Sequence, residues 1–140
     1  MKITSDNFEE GANIPYEHTC DGNDKPPILT ISDIPESSES LALIVSDPDA
    51  PSGTFIHWVL WNIPSNSNKI SEGDVGQNSF GNKKYNGPCP PSGTHRYYFT
   101  VYALDSMLDL PGDTSKDDLE EAMTGHIIEE AKLMGKYTKA

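Results

Sequence analysis

Four stretches of this chain carry a regular apolar pattern, and a fifth carries none. Leu41–Ser46 (LALIVS) is an unbroken apolar run that stops at Asp47-Pro48. A run this short between turn residues reads as a strand buried on both faces. Phe55–Ile63 (FIHWVLWNI) is rich in aromatic and β-branched residues and ends before Pro64, so it predicts a second strand. His95–Leu104 (HRYYFTVYAL) alternates: His95, Tyr97, Phe99, Val101 and Ala103 share one face, and Arg96, Tyr98, Thr100 and Tyr102 the other. A weaker strand falls around Ile28–Ile31. Pro64–Asn86 is rich in Ser, Asn and Gly without periodicity, and reads as a long surface excursion.

The tail has a different rhythm. Ser115 is placed to cap a helix whose first turns are acidic, with Asp117, Asp118, Glu120 and Glu121 near the positive end of the helix dipole. Leu119, Ala122, Met123, Ile127, Ala131 and Met134 recur at helical spacing, and Gly135 is the expected residue beyond the end. Gly125 in the middle costs such a helix about 1 kcal/mol against alanine. Strands first and a helix last, without alternation, predict a mainly β fold: an antiparallel core with a C-terminal helix. No repeat or linker divides the chain, so residues 1–140 are expected to form a single domain.

Composition narrows the function. The chain has 22 acidic and 10 basic residues, a net charge of −12. Nucleic-acid binding relies on Lys and Arg neutralising phosphates, so it is disfavoured. Stable anchoring on an anionic membrane is disfavoured too, because no polybasic cluster is present. An anion bound here must be held by a local set of donors against a repulsive overall field. The start of the chain is polar, without the apolar run of a signal peptide, and no stretch has the length of a spanning helix, so a cytoplasmic location is expected. Cys20 and Cys89 either form one bridge or stay as separate thiols. For a cytoplasmic chain the reduced state is the default expectation.

Two segments carry more than pattern. One is Asp47-Pro48-Asp49-Ala50-Pro51-Ser52-Gly53, followed by Phe55-Ile56-His57-Trp58-Val59. The other is Tyr85-Asn86-Gly87-Pro88-Cys89-Pro90-Pro91-Ser92-Gly93-Thr94-His95-Arg96-Tyr97. Both resemble the signature blocks of the phosphatidylethanolamine-binding protein family (PEBP), which includes the Raf kinase inhibitor proteins. Trp61-Asn62-Ile63-Pro64 and Cys20-Asp21-Gly22 resemble its shorter bacterial and archaeal branch. The likeness runs from about Phe8 to Asp105. It implies a PEBP-like fold: a large antiparallel sheet packed on a smaller one, Greek-key connections, and helical structure near the C-terminus. It also implies a small pocket for phosphoryl head groups or carboxylates, formed by Asp47, His57, Pro91, His95 and Tyr97 with backbone near Cys89. The resemblance implies no catalytic activity and no cofactor. Family members act as regulators or inhibitors of protein kinases or serine proteases, and members of this branch can be homodimeric. The gating helix of the long eukaryotic members is not carried over, because the tail here is shorter.

The chemistry is readable beside the likeness. Protonated histidine donates two hydrogen bonds, and bonds to a charged oxygen are about twice as strong as neutral ones. Asp47 would repel an anion unless it orients one histidine and keeps it protonated, or receives a ligand amine or hydroxyl. Pro48, Pro51, Pro88, Pro90 and Pro91 stiffen the two loops, and Ala50–Pro51 is the bond expected to be cis. Asp49 is assigned an Asx-type turn, Arg96 a surface role, and Trp58 and Trp61 core packing, with Trp61 on the His57 side. A single histidine in a strand is most often an ordinary structural residue. Two of them beside constrained loops weigh evenly against that. An enzyme is the alternative: Asp47, His57 and His95 as a two-histidine, one-carboxylate metal site, or Cys89 as a nucleophile. Three separate strands without a ligand spacing argue against the metal, and the lack of a following helix N-terminus argues against an activated Cys89. A third alternative is an interaction protein with a vestigial pocket, its partner surface on the Pro64–Asn86 excursion.

Overall fold

The computed structural model describes residues 1–70 and 72–140. Seven strands and one α-helix follow in the order β1 (Lys2–Ser5), β2 (Leu29–Ser32), β3 (Ser40–Asp47), β4 (Phe55–Ile63), β5 (Asp74–Val75), β6 (Thr94–Leu104), α1 (Lys116–Met123) and β7 (Ile127–Thr138). β1 and β2 pair as a small sheet; the large sheet runs β5-β4-β3-β6-β7, antiparallel throughout. β6 returns to lie beside β3 after the β3-β4-β5 meander, which is a Greek-key connection. The fold is mainly β, two antiparallel sheets with a helix near the C-terminus.

β3 is central and both its faces are covered, as its continuous apolar run requires. Leu41, Leu43 and Val45 join Tyr97, Phe99, Val101 and Ala103 in the core shared with Ile3, Leu29 and Ile31 of the small sheet. Ala42 and Ile44 face the other way, into a second cluster beneath Leu119 and Met123 of α1.

The tail departs from the sequence reading. Ser115 caps α1 as expected, accepting from the Asp118 N–H at 3.3 Å. The helix nevertheless ends at Met123 rather than Met134. Gly125 takes φ +83°, a left-handed turn open to glycine, and the chain reverses into the twelve-residue strand β7. Along β7 the inward residues are Ala131, Leu133 and Tyr137, a period of two. Ile127, Ala131 and Met134 therefore match helical spacing by coincidence. Gly135 ends no helix; it lies opposite Tyr97 of β6, where a Cβ would meet Ile14 and Phe8.

Two further expectations fail. Cys20 and Cys89 are joined in a disulfide, with Cα atoms 5.5 Å apart. The expectation of separate thiols rested on an expected cytoplasmic location; here the Cys20 N–H donates to Pro88 O at 3.1 Å and brings the two segments together. No described peptide bond is cis, Ala50–Pro51 included.

The Pro64–Asn86 stretch, whose Ser71 lies outside the described residues, is more than a surface loop. It supplies β5 and the buried Asn78, whose Nδ2 donates to His57 O and Lys84 O and whose Oδ1 accepts from the Phe80 and Asn82 N–H groups. It therefore also braces β4, through the β5 pairing and the Asn78 side chain. No helix among the described residues is long and apolar enough to cross a membrane.

Candidate functional site

A cavity of about 300 Å³ opens where β3 ends, β4 begins and the Pro-rich loop enters β6. Asp47, His57, Cys89, Pro91, His95 and Tyr97, all six residues singled out in the sequence, line it. Asp47 is the last residue of β3, and His95 and Tyr97 share the inward face of β6 as the alternation predicts.

His57 reaches the cavity by a less regular route. Val45 pairs with Trp58 while the next residue, Ser46, pairs with Ile56, so His57 is the extra residue of a β-bulge. A bulge re-aims a side chain and resets the parity of the strand. His57 thereby joins the face of Trp58 and Leu60, whereas Ile56, Val59 and Trp61 point into the second core. Trp61 is buried in core packing as expected, but on the face away from His57, which corrects its placement on the His57 side. Trp58 packs edge-on against Tyr85, their ring centroids 5.4 Å apart.

The hydrogen bonds fix how each histidine faces the cavity. His57 Nδ1 lies 2.6 Å from Asn86 O. A carbonyl can only accept, so Nδ1 carries the proton and Nε2 is the ring's remaining polar atom. His95 Nδ1 likewise donates to Asp47 Oδ2 at 2.6 Å. Asp47 Oδ1 accepts the Asp49 N–H at 2.8 Å, so the Asx turn belongs to Asp47. Asp49 instead receives the Arg96 backbone N–H at 2.9 Å and its guanidinium at 2.9 and 2.7 Å. Those bonds hold its carboxyl down at a pKa of about 2 and tie the turn after Asp47 to β6. Arg96 faces away from His95, as the alternation requires.

Burial shapes the acid–base behaviour. His57 is pushed below the ordinary value of 6.5, first by desolvation, against the opposing pull of Asn86 O and the charge of Asp47. Tyr97 is fully buried, and burial first, then the Asp47 charge, holds its phenol protonated. Its Oη has no hydrogen-bond partner among the described residues. The oxygen is itself buried, beside the Asp47 carboxylate and the Cys89 N–H on the inner wall of the cavity.

The sequence reading missed both phenylalanines of the lining, Phe55 and Phe80. Phe55 and Phe80 pack edge-on with centroids 4.7 Å apart, and both meet the His57 ring, at 5.4 and 5.6 Å. Tyr97 meets it from another side at 5.3 Å. Phe55 begins a strand and reads as core, and Phe80 sits in a polar stretch without pattern.

The disulfide removes the thiol that a Cys89 nucleophile would need. Among the described residues no three His, Cys, Asp or Glu side chains form a group able to hold a metal.

Residues 4–138 match the family model described as phosphatidylethanolamine-binding protein. The chain belongs to this family. It is 45% identical over 150 residues to a UPF0098 protein of Methanothermobacter thermautotrophicus, covering 99% of each chain. A crystal structure from Chlamydia trachomatis, described as a PEBP homolog, superposes with a TM-score of 0.95 at 41% identity, covering 99% of this chain and 97% of that one. YbcL of Escherichia coli, described as a new member of the mammalian PEBP family, gives a TM-score of 0.91 at 28% identity over 99% and 98%.

Proposed function

We propose that this PEBP-family chain is a binding module, not a catalyst, and that its cavity takes a small anion of the phosphoryl or carboxylate class. One observation carries the reading. Both imidazoles commit Nδ1 to the protein, to Asn86 O and Asp47 Oδ2, which leaves Nε2 of each for a ligand. An entering anion favours the protonated form of His57 and so turns its Nε2 from acceptor into donor. Anion affinity then rises as pH falls towards the His57 pKa, because binding takes up a proton.

The cellular role that fits such a module is regulation or inhibition of a protein partner, a kinase or a serine protease, with the anion site reading a phosphorylated or acidic group. The test is an NMR titration with inorganic phosphate and with phosphorylethanolamine, following the imidazole signals of His57 and His95. Saturable, joint shifts that disappear in His95→Ala support the reading. Imidazole signals unmoved at millimolar ligand overturn it.

A further inference from the structure

The disulfide sits on the rim of the proposed site. Cys89 lines the cavity, and its backbone N–H neighbours the Tyr97 phenol. Both cysteines are solvent-exposed, so the bond is open to a thiol from outside. It also does a particular job. Pro88, Pro90 and Pro91 have no N–H to give, and Pro90, Pro91 and Ser92 make no hydrogen bond to the rest of the chain among the described residues. The rim from Cys89 to Ser92 is therefore held by packing and by the bond to Cys20.

The segment on the other side is anchored independently. Tyr85 Oη donates to His18 O at 2.6 Å, the Gly87 N–H to Asp24 Oδ1 at 2.8 Å, and the Cys20 N–H to Pro88 O at 3.1 Å. These bonds survive if the sulfur–sulfur bond opens. The fold is then expected to persist, and the loss of order falls on the rim.

We propose that Cys20–Cys89 is a thiol–disulfide exchange site that controls anion binding in the pocket. This rests on the anion-site reading above. A thiolate of a dithiol reductant attacks one cysteine sulfur, forming a mixed disulfide and expelling the other cysteine as a thiolate, which takes a proton from solvent. The second thiol of the reductant then displaces the first cysteine. Two electrons pass, the reductant leaves as its own disulfide, and the protein holds two thiols. A rim that keeps the binding arrangement only a tenth of the time raises the apparent Kd about ten-fold.

The experiment titrates the folded protein with inorganic phosphate by calorimetry, oxidised and in dithiothreitol. Aliquots are alkylated natively and weighed by mass spectrometry, and an NMR fingerprint reports the sheet core. Cys20→Ser/Cys89→Ser provides a reductant-free version of the open state. Two alkylated cysteines, an intact fingerprint, and a Kd about ten-fold higher in both open forms are the expected results. Cysteines that react only after denaturant overturn the exchange site. Equal Kd values in open and closed forms overturn the coupling and leave the pocket reading standing. Phosphate bound by neither form removes the pocket reading and the coupling with it. Collapse of the core fingerprint on reduction, in the double variant too, makes the bond a staple of the fold and rejects the proposal.

Discussion

Replacing Gly135 with alanine tests whether the tail folds as strand β7. A Cβ there would sit 2.6 Å from Ile14 Cγ1, 2.7 Å from Phe8 Cε2 and 2.9 Å from Ile14 Cδ1. Carbon pairs are most favourable at about 3.5–4.0 Å, so all three contacts are repulsive. Ile14 and Phe8 are 1% and 6% exposed and have little room to yield. Forcing an extra methyl into a packed core costs about 1–3 kcal/mol. Alanine within a strand recovers about 0.5–1 kcal/mol of chain entropy. The net loss is then about 0–2.5 kcal/mol.

A glycine just beyond a helix end would lose about 1 kcal/mol to left-handed backbone strain on the same substitution, so the single variant does not discriminate. The pair with Ile14→Ala does. Ile14→Ala alone opens a cavity and costs about 2–5 kcal/mol. When both changes are made, the methyl added by Gly135→Ala fills part of that space, and its two clashes with Ile14 vanish. The double variant should therefore be at least about 1 kcal/mol more stable than additivity predicts. Urea unfolding of the four proteins, with slopes compared, measures it. Effects that add within about 0.5 kcal/mol would refute the packing of Ile14 on β7.

Two further predictions concern stability. Cys20 and Cys89 are 69 residues apart, so the chain-entropy model assigns their bond about 4 kcal/mol. Guanidinium unfolding of Cys20→Ser/Cys89→Ser should show most of that loss, and a difference under about 1 kcal/mol would contradict a denatured state constrained by the bond. His57 supplies a pH signature. Its folded pKa lies below 6.5, so between that value and 6.5 the unfolded chain holds a proton that the folded one lacks. Its contribution is complete above pH 6.5 and falls away as pH drops through the folded pKa. In phosphate-free buffer, His57→Gln should flatten the decline of unfolding free energy on acidification, whatever its absolute stability; an unchanged slope below pH 6.5 counts against the buried neutral ring.

The sheet was legible where side chains alone determine the outcome. Leu41–Ser46, Phe55–Ile63 and His95–Leu104 are strands because β-branched and aromatic runs bounded by Pro and Gly have few other uses. Where backbone irregularity decides, the pattern misled. The bulge at His57 shifts Trp61 to the opposite face, and no side-chain signal marks it. Asn62, at φ +53°, sits at a second, separate register shift, opposite Leu41–Leu43. β7 was hidden because its exposed half, Ile127–Glu130, shows no alternation, so a helical stripe ran on through Gly125. The glycine in mid-helix was the available warning. The pocket residues were named through the resemblance of the two Pro-rich blocks to the PEBP family; the residue pattern alone left His57 and His95 evenly weighed between pocket and ordinary strand positions. Phe55, Phe80 and the disulfide depended on which distant segments meet, and that is a property of the closed sheet.

Asp47 posed the sharpest difficulty in the sequence, a carboxylate in a proposed anion site on a chain of net charge −12. Its surroundings resolve the conflict by direction. Oδ2 accepts from His95 Nδ1 and Oδ1 from the Asp49 N–H, so both oxygens are engaged by the protein. Asp49, one turn further out, is matched by Arg96 on the opposite face of β6. The nearest negative charges are thus each answered by a donor, while the imidazoles retain Nε2 for the cavity. Removing Asp47 would take away the hydrogen bond that orients the His95 ring. On this reading Asp47 acts through His95 as a positioning residue of the proposed anion site, its carboxylate engaged by the protein.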